Sequence, residues 1–176
     1  MEYNIESEFS LFHLHFLSNR GTVEKNHWMK VIGSNEYKIW SGYAFEIVCL
    51  HHIDNIIEGI GISGMINKPC SWAYRPTKAI LENEEIDENL KRGAQIDLLI
   101  DRNDKTISIC EMKYADGEYV IDKPYDQHVQ NRLNTFKEVT NTTKSLQVVY
   151  VTPHGIYNNM YGRKVNKQIT ANHLFS

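Results

Sequence analysis

The chain has 176 residues, 41% hydrophobic and 23% charged, the size and balance of one soluble globular domain rather than of a fibrous or disordered chain. Its formal charge of −3 argues against a strongly basic nucleic-acid module, whose affinity comes from clustered Lys and Arg. No run approaches the roughly 18 apolar residues of a membrane span, and MEYNIESEF is acidic where a signal peptide is basic and then apolar, so the sequence predicts a cytoplasmic protein with no membrane partner.

Residues 1–40 read as an N-terminal helical extension, and residues 41–176 as the main domain. In the extension Phe9, Leu11, Phe12, Leu14, Phe16 and Leu17 fit a short helix ended by Asn19-Arg20-Gly21. From Ser41, a plausible N-cap, the residues Phe45, Val48, Cys49, His52, Ile53, Ile56 and Ile57 fall at helical spacing up to Gly59 and Gly61. Ser71 to Tyr74 reads as a strand. Leu81 to Leu90 then holds five carboxylates and no base, which suits an exposed insertion. Two strands follow, Ala94 to Asp101 and Thr106 to Tyr114, joined by a tight turn at Arg102-Asn103-Asp104-Lys105. Asp122 to Thr140 places Tyr125, Val129, Leu133 and Phe136 at spacings of three and four, a second long helix with Pro124 in its first turn. Leu146 to Val151 is an apolar run bounded by Thr152-Pro153, as a buried central strand requires. The order helix, strand, strand, strand, helix, strand predicts an α/β fold, a mixed sheet flanked by helices. After Pro153 the chain carries Arg163, Lys164 and Lys167 and no acid.

Alternate strand residues face opposite sides, so Ile107, Ile109, Glu111 and Lys113 share one face of the third strand, and two charges end an apolar row. Counting back symmetrically from Asn103-Asp104 sets Asp97 opposite Cys110, whereas an odd-length loop or a one-residue bulge sets it opposite Glu111. In the second register the two carboxylates lie side by side. Hard cations such as Mg²⁺ take oxygen ligands of this kind, one or two carboxylates with waters and a substrate phosphate completing the shell. The Lys113 ammonium, one pleat repeat from Glu111, can then orient the attacking water or neutralise charge on the phosphate. Glu46 can join from the first long helix.

GAQIDLLID, the fourteen-residue step from Asp97 to Glu111, and Glu111-Met112-Lys113 resemble the D…ExK half of the PD-(D/E)XK nuclease superfamily. Gly42-Tyr43-Ala44-Phe45-Glu46 is similar to its upstream helix carboxylate. The motif's proline before the aspartate is Ile96 here. The resemblance implies a restriction-endonuclease-like fold acting on DNA with Mg²⁺ or Mn²⁺ as cofactor. It implies Glu46, Asp97, Glu111 and the Met112 carbonyl as metal ligands, with Lys113 assisting the water. One of Gln127, Gln130 and Arg132 on the second long helix would add a polar group. A narrower resemblance runs from YNIESEFSLFHLHFL through CEMKYADGEYVIDKPY to VVYVTPHGI and is similar to the C-terminal domain of prokaryotic AAA+ family ATPases; this chain has no GxxxxGK[ST] phosphate loop.

Two functions are therefore expected as alternatives: a Mg²⁺-dependent DNA nuclease, or a catalytically inactive nuclease-fold module that binds nucleic acid or a protein partner such as an ATPase. Other residue patterns read as structural. His13, His15, His51 and His52 lack an identifiable third zinc ligand, Tyr150, Tyr157 and Tyr161 serve packing before base stacking, and Cys49, Cys70 and Cys110 form no CxxC pair.

Overall fold

Ser34, not Ser41, starts the first long helix. Its hydroxyl accepts the Tyr37 N–H at 3.1 Å and its carbonyl accepts the Lys38 N–H at 3.2 Å, which satisfies donors that a helix N-terminus leaves open. Ser41 lies buried inside that helix, where its hydroxyl donates back to the Lys38 carbonyl at 3.0 Å. The structure is a computed structural model and describes residues 10, 12–17 and 27–176. Phe9, Leu11, the predicted stop at Asn19-Arg20-Gly21 and the side chains of Leu17 and Trp28 lie outside the described residues.

The chain divides into two units, Met1–His51 and His52–Ser176. The first contains a π-helical turn (His13–Leu17), α1 (His27–Val31) and α2 (Asn35–His51). Phe12, Phe16 and Trp40 pack there with ring centroids 5.3 to 5.5 Å apart. At His52 the backbone leaves helical geometry, with φ −113° and ψ 32°. The single helix expected from Ser41 to Gly59 is therefore two.

The second unit opens with α3 (Ile53–Ile60), which buries Ile56, Ile57 and Ile60. It ends at Gly61, in the left-handed conformation. Then come β1 (Ile66–Tyr74), α4 (Lys78–Glu82), α5 (Glu88–Arg92), β2 (Ala94–Arg102), β3 (Thr106–Met112), α6 (Lys123–Thr140), β4 (Ser145–Val151), a 3₁₀ turn (Gly162–Lys164), β5 (Lys167–Ile169) and α7 (Ala171–Leu174). The five strands form one mixed sheet in the order β1-β2-β3-β4-β5, antiparallel up to β3 and parallel from there. This is the predicted class, a mixed sheet flanked by helices. β1 lies at the edge of the sheet, which is why it tolerates Pro69. The parallel step from β3 to β4 needs a long crossover, and α6 supplies it. Asp122 caps α6 by accepting the Tyr125 N–H at 2.8 Å. The acidic insertion folds as the two short helices α4 and α5.

One face of the sheet packs under α6: Ile96, Leu99, Ile107 and Ile109 form a buried cluster with Phe136, flanked by Trp72, Leu133 and Leu146. Leu98, Ile100, Cys110, Met112, Val149 and Val151 are also buried. No helix among the described residues is long and apolar enough to cross a membrane.

Two irregularities of β2 matter for the site. The β2–β3 loop holds three residues, Asn103, Asp104 and Lys105, with Lys105 left-handed at φ 59°. The loop is therefore odd-numbered, and the ladder pairs Asp101 with Ile107 and Leu98 with Cys110. Against β1, the pairing shifts between Cys70↔Leu99 and Trp72↔Ile96, so Asp97 and Leu98 together oppose Ser71. Asp97 thus lies in a β-bulge, a device that re-aims side chains.

Candidate functional site

Continuing the β2–β3 register one step beyond Leu98↔Cys110 sets Asp97 across from Glu111. Of the two registers open from the sequence, this is the one that places the carboxylates side by side. Their surroundings differ. Glu111 is 3% exposed, while Asp97 is half-buried. A carboxylate cannot be buried without compensation, and α6 provides it. The Arg132 guanidinium places Nη1 2.7 Å from Glu111 Oε1 and donates from Nη2 to Oε2 at 3.3 Å. The Tyr125 hydroxyl donates to the same Oε2 at 2.6 Å.

Arg132 also ties the two carboxylates together. Its Nη1 donates to the Gln95 carbonyl at 3.3 Å, and the Gln95 side-chain amide donates to Asp97 Oδ1 at 2.7 Å. Lys113 follows the end of β3, held there by its N–H bond to the Val151 carbonyl at 2.9 Å. Its ammonium lies 5.5 Å from the centre of the Tyr125 ring, so one tyrosine touches both Glu111 and Lys113. Three phenols surround the Glu111 charge. Burial first, and the negative charge of Glu111 second, push Tyr125 and Tyr150 far above the ordinary tyrosine range. Tyr119 is raised as well, chiefly by burial. These phenols stay protonated and serve as donors and wall rather than as bases.

Beside this cluster opens a cleft of about 520 Å³ between the ends of β1, β2 and β3, helix α5 and helix α6. Arg75, Arg92, Lys113, Arg132 and His128 line it, and among the described residues its lining includes no carboxylate. In a chain of net charge −3 this is a local reversal of sign.

Mg²⁺ or Mn²⁺ would ask for hard oxygen donors with unused lone pairs. Each carboxylate oxygen has two. Oε2 of Glu111 is filled by Tyr125 and Arg132, and among the described residues Oε1 meets Arg132 alone and Asp97 Oδ2 takes no hydrogen bond. The donor set thus fits one hard cation in kind, through Asp97 and Oε1 of Glu111. Met112, whose carbonyl is the implied backbone ligand, is buried at the end of β3. Glu46 lies on α2 in the first unit, half-buried. Among the described residues, no group of three or more His, Cys, Asp or Glu is gathered to hold a metal ion.

Of the three α6 residues singled out in the sequence, Arg132 is the one joined to Glu111. A signal for it was present: Arg132 falls between Val129 and Phe136 at spacings of three and four, a charge inserted into the apolar stripe. Tyr125, on the same stripe, reads as packing in the sequence and proves to be a hydrogen-bond donor. Tyr150 is buried and unavailable for stacking on a base. The Cys110 thiol is pushed up to about 12, by burial and then by Glu111, which removes it as a nucleophile at neutral pH. His15 pairs with Glu36 at 3.2 Å.

Comparison of the chain with protein-family models, with curated proteins and with solved structures finds no match in any of the three.

Proposed function

We infer that the protein is a Mg²⁺- or Mn²⁺-dependent nuclease that hydrolyses phosphodiester bonds of DNA in the cytoplasm. The observation that carries this reading is the register across β2 and β3, which continued one step sets Asp97 opposite Glu111, with Lys113, two residues beyond Glu111, among the cations that line the cleft. Asp97, Glu111 and the Met112 carbonyl would hold the ion. A bound divalent ion would supply Lewis-acid polarisation of the phosphate and a more acidic water. The remaining work belongs to the chain. Arg75 and Arg92 hold the phosphates flanking the scissile one. Lys113 donates to a non-bridging oxygen of the scissile phosphate and neutralises charge as it develops there. Tyr125 and Arg132 fix the Glu111 carboxylate, so that its orientation is set before substrate arrives.

A second reading has its own support. Arg132 and Tyr125 already engage both oxygens of Glu111, as in a module that keeps the fold and the basic cleft to bind nucleic acid or a protein partner without cutting. Incubation of plasmid and single-stranded DNA with the protein in Mg²⁺, in Mn²⁺ and in EDTA separates the two. Cleavage in either metal and none in EDTA is expected of the nuclease. No metal-dependent cleavage of either DNA would overturn it in favour of the binding module.

A further inference from the structure

The wall of the basic cleft is built, not incidental. Gly93, left-handed at φ 73°, closes it between α5 and β2; a Cβ there would meet the Tyr74 carbonyl oxygen at 2.8 Å and Pro76 Cδ at 3.3 Å. Only glycine lets the two segments approach so closely. The acidic insertion contributes without bringing its charge into the lining. Asp87 spends its carboxylate capping α5, accepting the Asn89 N–H at 2.7 Å, and Glu88 pairs with Lys91 at 3.0 Å. Asn89 and Arg92, three apart on α5, both line the cleft.

An aromatic residue completes this wall. Tyr74, half-buried at the end of β1, lines the cleft, and its ring lies 6.4 Å from that of Trp72 with the planes 15° apart. Trp72 in turn meets Phe136 of the core edge-on at 5.0 Å. The Tyr74 ring therefore lies beside Trp72, which itself packs on the core. Cations along a groove together with a rigid aromatic platform are the combination that binds single-stranded nucleic acid: the backbone follows the charge and an unpaired base stacks on the ring. A duplex keeps both faces of each base inside its own stack and has none to offer Tyr74.

We propose that this cleft is a binding groove for single-stranded nucleic acid, with Lys113 on one phosphate, Arg75 and Arg92 on the phosphates flanking it, and Tyr74 beneath an unpaired base. The proposal deepens the nuclease reading, on which it rests for the fate of the strand, by naming that strand's form. Binding itself needs no metal. Fluorescence anisotropy of the full chain with labelled single-stranded and duplex oligonucleotides of one sequence, in EDTA, tests it. The single strand should bind at least about tenfold more tightly than the duplex, and Tyr74→Ala should weaken it by about 5- to 150-fold, the range for loss of one stacked base. Tyr74→Phe, which keeps the platform, should retain binding and guards against a folding defect. Arg92→Gln, on the exposed helix, should lower the slope of log affinity against log salt by about 0.7, one single-strand phosphate contact. Equal affinity for duplex and single strand, or Tyr74→Ala binding like the parent, overturns the groove. Single-strand binding in EDTA without cleavage in Mg²⁺ or Mn²⁺ upholds the groove and removes the nuclease; metal-dependent cleavage with duplex preferred does the reverse.

Discussion

Strands β2 and β3 carry charged clusters at both ends, about 14 Å apart at 3.4 Å per residue, and the two are made differently. At the hairpin end Arg102 pairs with Asp104, two residues away, and Lys144 pairs with Asp101. The Lys144 and Asp101 side chains are 31% and 35% exposed. Arg102 also donates to Gln147 at 2.8 Å. The Lys144–Asp101 and Asp104 carboxylate contacts remain in reach of water, although the Arg102 side chain itself is only 12% exposed. At the other end Glu111 is buried, and its partners come from 14 and 21 residues further along, on a helix that crosses the sheet. Taking a carboxylate and a guanidinium out of water costs several kcal/mol each, and apolar residues of similar size often do as well or better. A fold seeking only stability gains little from such a pair. Its place beside Asp97, Lys113 and the basic cleft gives it a reason.

The sharpest way to break the comparison is to remove one partner at each end. Arg132→Met should destabilise the protein by about 3–5 kcal/mol, because Glu111 is left buried and uncompensated. Lys144→Ala, at the hairpin end, should cost no more than about 1 kcal/mol. Urea unfolding of the two variants checks both, and equal losses would mean that the buried pair is an ordinary one. Tyr125→Phe removes the 2.6 Å bond to Glu111 while keeping the ring, and should cost about 1.5–3 kcal/mol, the range for a hydrogen bond to a charged group.

The site end also predicts how stability depends on pH. Cys110 has a folded value of about 12 against an ordinary 9.0, and Tyr125 and Tyr150 are raised above 10. Raised acids favour the protonated form in the folded state, so their contribution is complete below about pH 9 and is lost as pH rises through the folded values. Unfolding free energy should fall between about pH 9 and pH 12, and Tyr125→Phe should fall less steeply than the parent. A parent curve flat over that window would show that Cys110, Tyr125 and Tyr150 are not buried beside Glu111 as described.

Much of the second unit was legible in the sequence because its periodicities are clean. The bounds of β2, β4 and α6 lie within one residue of those predicted, and β3 begins as predicted and stops two residues early. The register was not legible. Arg102-Asn103-Asp104-Lys105 suits either an even or an odd turn, and the choice rests on Lys105 adopting a left-handed conformation that nothing in its side chain demands. β5 escaped because Lys167-Gln168-Ile169 is three residues long and mostly polar. The α2 cap was misplaced because Ser34 and Ser41 are equally good caps, and no helix breaker lies between them. For the candidate site, Asp97, Glu111 and Lys113 could be singled out because charges ending apolar strands stand out. Tyr125 was not, because an aromatic on an apolar helix stripe looks the same whether it fills space or donates a hydrogen bond.

In the proposed function Asp97 and Glu111 hold a cation while Lys113 acts on the phosphate. Mn²⁺ binding and DNA cleavage, measured side by side on the parent, Lys113→Ala and Asp97→Ala, test it most directly. Lys113→Ala should bind Mn²⁺ like the parent and cleave about 10²- to 10⁴-fold more slowly, and Asp97→Ala should lose both. Lys113→Ala cutting DNA as fast as the parent, or Asp97→Ala holding Mn²⁺ undiminished, would contradict the account.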